Sequence, residues 1–176
     1  KTFISSGIMA DLVVVAACTD PDAGSRGLSL FVVERDTPGF VRGRQLDKIG
    51  LPAQDTAELF FDDARIPAAN LLGEEGRGLQ YLMGHLPRER LGVSAKAMAT
   101  TRAIYELTVE YCKDRKAFGK PIGTFQANRF TLAEMATELD VAQAYIDRCL
   151  QGVLDGEASA VDASKAKWWC TELSKK

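Results

Sequence analysis

The sequence predicts an α+β chain, with an antiparallel β-sheet or small-barrel segment followed by an antiparallel helical bundle. Residues 1 to about 70 carry short apolar, β-branched runs separated by turn formers. From residue 76 onward the apolar residues recur at helical spacing instead. These runs exceed the average helix length of about 11 or 12 residues, and long helices with short connections pack as antiparallel bundles. The predicted division is therefore 1–70 and 71–176.

Leu12-Val13-Val14-Val15-Ala16-Ala17-Cys18 and Leu28-Ser29-Leu30-Phe31-Val32-Val33 read as two strands. The Asp20–Ser25 segment between them is dense in turn residues, which predicts a hairpin. Phe40–Gln45 and Thr56–Asp62 are further strand candidates, punctuated by Pro38-Gly39 and Gly50-Leu51-Pro52. In the first long helix Val93, Ala97, Thr100, Ile104, Leu107 and Tyr111 form one stripe, with Lys96, Glu106, Glu110 and Lys113 mostly opposite. The second, from about Ala127 to Leu154, places Leu132, Ala136, Leu139, Ala142, Ile146, Cys149 and Val153 on one face. Asp155-Gly156-Glu157 interrupts it, and Ser159 is the expected N-cap of a third helix. Trp168 and Trp169 on that helix are expected in the bundle core. The third helix is still amphipathic at Lys176, so the chain reads as a piece of something larger.

Composition narrows the chemistry. A formal net charge of −2 over 176 residues gives no electrostatic reason to bind nucleic acid or an anionic membrane surface. No apolar run approaches the roughly 20 residues of a membrane span. The four cysteines lie far apart and form no metal-type pair, and His85 is the single histidine. No metal site is expected, and a Ser-His-Asp triad lacks material. Free thiols imply a reducing compartment.

The chemically informative stretch is Leu86–Gln126. Glu89 lies between Arg88 and Arg90 near the expected start of the first helix. At its far end Asp114-Arg115-Lys116-Ala117-Phe118-Gly119-Lys120 gathers cations around an aromatic residue and a glycine. A base at one end and an anion-gripping loop at the other suggest an enzyme handling a large phosphorylated ligand. Each feature also has a plainer explanation: a first-turn glutamate favoured by the helix dipole, and cations complementing a helix C-terminus.

Four segments, in one order, resemble the acyl-CoA dehydrogenase family of flavoproteins, and its long-chain branch most closely. Lys1-Thr2-Phe3-Ile4-Ser5-Ser6-Gly7 is similar to K-x-[WF]-I-[TS]-N-G, with Ser6 in place of asparagine. Asp47-Lys48-Ile49-Gly50 with Thr56, Leu59 and Phe61 resembles D-K-x-G…T-x-x-L-x-F. Ile66-Pro67…Asn70…Leu72-Gly73…Gly76…Gly78 resembles the passage into the helical domain, and Arg115–Lys120 with Gln126 resembles R-x-x-F-G-x…Q. The resemblance implies that residues 1–70 are part of a middle β domain and 71–176 the first helices of a C-terminal bundle, both incomplete.

It also implies FAD-dependent removal of two hydrogens from an acyl-CoA thioester, as in fatty acid or branched-chain acyl-CoA oxidation. A carboxylate takes the α proton and the β hydrogen leaves as hydride to flavin N5. In the long-chain and isovaleryl branches the base sits in a segment like Leu86-Pro87-Arg88-Glu89-Arg90-Leu91, which gives the role to Glu89, with burial expected to make it a better base. In most of the family the base lies in a C-terminal loop outside this chain. By the same resemblance Phe3, Ile4 and Ser5 meet the flavin ring, and Arg115, Ala117, Phe118 and Gln126 meet the cofactor's other end. Arg90 resembles an arginine beside the substrate. The partners implied are acyl-CoA, an electron-transfer flavoprotein, and a second copy of the chain in a dimer or tetramer whose FAD site is shared between subunits. The compartment implied is the cytoplasm of a bacterium or the mitochondrial matrix of a eukaryote. A flavin oxidase or monooxygenase of the same fold, or a non-catalytic assembly subunit, are the alternatives.

Overall fold

Strands form where β-branched and aromatic residues concentrate, and seven are present in the computed structural model, which describes residues 1–157 and 159–176. Ile4–Ser5 (β1), Leu12–Cys18 (β2), Leu28–Glu34 (β3), Phe40–Gln45 (β4) and Thr56–Phe61 (β5) lie in the first of two compact units, Lys1–Leu82. β2 and β3 form the expected antiparallel hairpin, in register from Leu12 opposite Glu34 to Cys18 opposite Leu28. A second sheet has the order β1-β5-β4, also antiparallel. Val15, Val33, Phe40 and Leu59 are the buried core of this unit, and the Phe40 and Phe61 rings stack with centroids 4.9 Å apart.

The glycine-rich passage leading out of the β unit follows β3 closely. Asn70 Nδ2 donates to the Val32 carbonyl at 3.0 Å, and the Leu72 amide donates to Leu30 O at 2.8 Å. The Gly76 amide then donates to the Oγ of Ser29, which is fully buried and also bonded to the Thr19 hydroxyl. Only glycine fits at position 76: its φ is +75°, and a Cβ there would fall 2.5 Å from the Arg26 carbonyl.

The second unit, Met83–Lys176, is helical. Gly78–Asp114 (α1) enters it, followed by two short strands, Lys116–Ala117 (β6) and Lys120–Pro121 (β7), then Gln126–Leu154 (α2) and Ala160–Leu173 (α3). Leu139, Ala142, Ile146 and Cys149 of α2 are buried, as the periodicity predicts. Ser159 caps α3, its side chain accepting from the Asp162 amide at 3.1 Å.

Two expectations fail here. The face of α1 that packs is Leu91, Ser94, Met98 and Cys112, with Ala97 and Tyr105 half-buried against it. Ile104, Leu107 and Tyr111, from the predicted stripe, are 59%, 71% and 59% exposed. The helix is apolar on two faces about 100° apart, and α2 and α3 cover only one. Likewise Trp168 and Trp169 are exposed, because α3 packs through the smaller Ala163, Ala166, Cys170 and Leu173. Small side chains let helices approach closely, and the tryptophans lie outside that seam.

Candidate active site

The predicted site residues fall on three features, one in the first unit and two in the second. The first is the turn that begins at Phe3. Phe3 and Ser6 have φ of +61° and +58°, a conformation that side chains with a Cβ disfavour. Between them Ile4 and Ser5 pair with Ala57 and Thr56. The strand is anchored, yet Phe3 is 77% exposed and the Ser5 hydroxyl is exposed with no hydrogen-bond partner among the described residues. Bonds from outside the strand hold this turn. The Ser6 amide donates to the Asp55 carbonyl at 2.8 Å, and the Ile8 amide donates to Asp55 Oδ2 at 2.7 Å. Arg35 donates to the Met9 carbonyl at 2.8 Å, as does Arg42 to the Ala10 carbonyl.

The second feature lies after α1. β6 and β7 pair as a minimal hairpin whose two loop residues, Phe118 and Gly119, have φ of +52° and +80°. Two consecutive positive φ values are those of a type I′ turn, whose twist suits a two-residue hairpin. Asparagine commonly takes the first position; here it is phenylalanine, with its ring 96% exposed. The ring meets Phe125 edge-on at 6.2 Å, and the Lys120 ammonium lies 4.6 Å from the Phe125 centroid. The hairpin is tied to the chain beyond it, since the Ile122 amide donates to the Arg115 carbonyl at 2.8 Å. α2 starts immediately afterwards, at Gln126, and no side chain caps it. Its first amides therefore remain free to receive an anion, with the N-terminal end of the helix dipole behind them. Arg115 and Gln126 are exposed, and neither side chain has a hydrogen-bond or ion-pair partner among the described residues. The sequence reading named these two residues but missed the uncapped helix. The missing Ser, Thr, Asp or Asn at position 125 was the available signal.

The third feature is on α1. Because that helix starts at Gly78, Glu89 lies about three turns in and its presence is not explained by the N-terminal dipole. Pro87 sits inside the helix and cannot donate to the Met83 carbonyl, so the ladder is open one turn before Glu89. Glu89 is exposed rather than buried, since α2 and α3 cover the face of Leu91 and Ser94 instead. Arg90 spans to α3, donating to the Ser164 hydroxyl at 2.8 Å. Among the described residues no group of His, Cys, Asp and Glu is placed to hold a metal ion.

A β unit that opens on a strained, outward-facing turn, followed by a helical unit that carries an exposed carboxylate and an uncapped helix behind a two-residue hairpin, is of the α+β class the sequence predicts. The chain belongs to the acyl-CoA dehydrogenase family. Its residues 1–64 match the family's middle domain and 76–176 its C-terminal domain. It is 47% identical over 175 residues to the long-chain specific acyl-CoA dehydrogenase, mitochondrial, of Sus scrofa, covering 98% of this chain and 41% of that protein. An acyl-CoA dehydrogenase of Bacillus subtilis is 39% identical over 176 residues, covering 100% of this chain and 46% of its own length. The crystal structure of acyl-CoA dehydrogenase from Geobacillus kaustophilus superposes with a TM-score of 0.97 at 54% identity, covering 99% of this chain and 47% of that one. The chain thus spans less than half the length of these relatives.

Proposed function

We propose that the protein carrying this chain is an FAD-dependent acyl-CoA dehydrogenase that forms an α,β double bond in acyl-CoA thioesters, with Glu89 as the base. The observation that supports this most is the position of Glu89, well inside α1 and beside Pro87, where neither helix capping nor an ion pair explains it. Its carboxylate takes the α proton of the thioester. FAD, when bound, supplies the acceptor for the β hydrogen, which leaves as hydride with its electron pair. The products are the enoyl-CoA and a protonated Glu89. Such a base has to work largely desolvated, and in this chain Glu89 is exposed, so its cover has to come from the substrate and from elements beyond these residues.

The donor set fits FAD. Arg115 and the first amides of α2 suit a pyrophosphate, Phe118 offers an open ring face to the adenine, and Ala117 and Gln126 flank them. Phe3, Ile4 and Ser5 suit the flavin ring, where the Ser5 hydroxyl would donate towards N5 and stabilise arriving charge. Arg90 follows the base in the chain, and to contact substrate it would have to give up its bond to the Ser164 hydroxyl of α3. Roughly 38 Å of helix axis separates Glu89 from Asp114, at about 1.5 Å per residue. One chain's base and its own anion-receptive hairpin are therefore too far apart to serve one dinucleotide, which supports a dimer or tetramer sharing each FAD site. Residues 1–70 then belong to the middle domain and 71–176 to the bundle. An electron-transfer flavoprotein would reoxidise the flavin. The compartment is the cytoplasm for a bacterial source and the mitochondrial matrix for a eukaryotic one.

The test is anaerobic titration of the full-length protein with acyl-CoAs of varied length, followed by flavin absorbance, beside a Glu89→Gln variant. Bleaching by one length class, lost by at least about 100-fold in rate in a variant that still holds FAD, is the expected result. Bleaching that survives the change moves the base elsewhere. No bleaching by any acyl-CoA in an FAD-loaded protein favours an oxidase or monooxygenase, and a protein that holds no FAD favours the assembly subunit.

A further inference from the structure

We propose that Asp55 is a positioning residue that fixes the Ser5 hydroxyl against the flavin by holding the turn that follows it. This rests on the reading of Phe3–Ser5 as the flavin-facing segment. The turn needs a restraint, since Phe3 and Ser6 both adopt the left-handed conformation without being glycine. Asp55 supplies it from the end of the loop that leads into β5, on two sides of Ser6. Its carbonyl accepts the Ser6 amide at 2.8 Å and its carboxylate accepts the Ile8 amide at 2.7 Å. The next residue, Thr56, is the register partner of Ser5 in β5.

Asp55 is only 7% exposed, unusual for a carboxylate without a cationic partner. A hydrogen bond from an amide to an ionised oxygen is among the stronger ones, which explains why the group tolerates burial. The other half of the restraint comes from arginines. Arg35 donates to the Ile8 and Met9 carbonyls and to Asp11 Oδ1, and Arg42 donates to the Ala10 carbonyl. The Ile8 amide is thus held by the Asp55 carboxylate, the Ser6 amide by the Asp55 backbone carbonyl, and the carbonyls on the other side of the turn by cations. Without the Asp55 carboxylate the Ile8 amide has no acceptor, and the turn at Ser6 keeps only the backbone bond to position 55 against relaxation towards negative φ. That rotation would move Ser5, its neighbour, relative to anything the strand faces.

The experiment uses full-length, FAD-loaded protein with Asp55→Ala, Asp55→Asn, Ser5→Ala and the Asp55→Ala/Ser5→Ala double variant. Flavin reduction potential, reduction rate at saturating acyl-CoA, acyl-CoA affinity and amide hydrogen exchange at Ser6 and Ile8 are measured. Asp55→Ala is expected to speed exchange at both amides and to shift the potential to more negative values. It should also slow reduction by about tenfold to a hundredfold with acyl-CoA affinity unchanged. Asp55→Asn keeps an oxygen that accepts from Ile8 and should restore most of each property. Ser5→Ala should shift the potential the same way, and the double variant should add little to either.

Lower thermal stability in Asp55→Ala with an unmoved potential and rate would overturn the positioning role. If Asp55→Ala does not hold FAD, Asp55→Asn decides alone. Its weaker acceptor should produce a smaller shift of the same sign, and faster exchange with no shift would overturn the proposal. A Ser5→Ala protein with normal potential would instead show that the flavin-facing assignment itself is wrong.

Discussion

The seam between the helices and the two left-handed turns differ in almost every physical respect. At the seam Met98, Leu139, Ala142, Ile146 and Cys170 are each no more than 2% exposed and sit in ordinary helical backbone. At the turns Phe3 and Phe118 are 77% and 96% exposed and hold positive φ. The seam gains stability from burial, whereas the turns lose some through strain and leave their aromatic rings uncovered. Strain and exposure together are what a ligand-receiving segment shows, because the ligand supplies the missing contacts.

The largest effect that would sharpen this contrast is in the seam. Met98→Ala should lower unfolding free energy by about 2–5 kcal/mol, measured from urea midpoints at unchanged m-value, with FAD retention preserved in the protein that remains folded. Phe118→Gly should do the reverse. Relief of the left-handed strain should leave stability unchanged or up to about 1 kcal/mol higher, while FAD is lost more readily on gel filtration. Full FAD retention would remove Phe118 from the cofactor site. Ser159→Ala deletes the α3 cap and should cost about 1 kcal/mol, with no effect on the flavin spectrum.

The smallest effects concern the polar link beside the seam. The Tyr145 hydroxyl donates to Asp162 Oδ1 at 3.1 Å, and Lys165 donates to the same oxygen at 3.3 Å. Tyr145→Phe should cost about 0.5–1.5 kcal/mol. Hydrogen bonds from Lys165 and Tyr145 hold the Asp162 carboxyl below the usual carboxylate range. Its contribution is therefore present above the unfolded-state value and lost as pH falls through the lower folded-state value. Thermal melts of the parent and an Asp162→Asn variant should differ at pH 7 and converge in strong acid. A gap that persists in acid would show that packing, not charge, links the helices there.

Much of this was legible in the sequence. The β2–β3 hairpin, β4, the buried stripe of α2 and the Ser159 cap all follow from local patterns, since period, turn residues and caps act within a few residues of each other. Glu89, Arg115 and Phe118 stood out through their neighbours in the chain. The packed face of α1 was not legible. Its two apolar stripes are equally good by periodicity, and the choice belongs to α2 and α3. The placement of the tryptophans failed for the same reason, because alanine and cysteine allow the closer approach on α3.

The sequence by itself determined the longer strands and the three helices, the family, and the residue types available for the chemistry, but not the two-residue strands β1, β6 and β7. Only the tertiary structure decided which helix face is covered and that the Arg115 and Gln126 side chains have no partner among the described residues. It also decided that Asp55 reaches back across 47 positions to the Ile8 amide. Periodicity and capping are local, whereas burial and hydrogen-bond satisfaction depend on which distant groups the fold brings together.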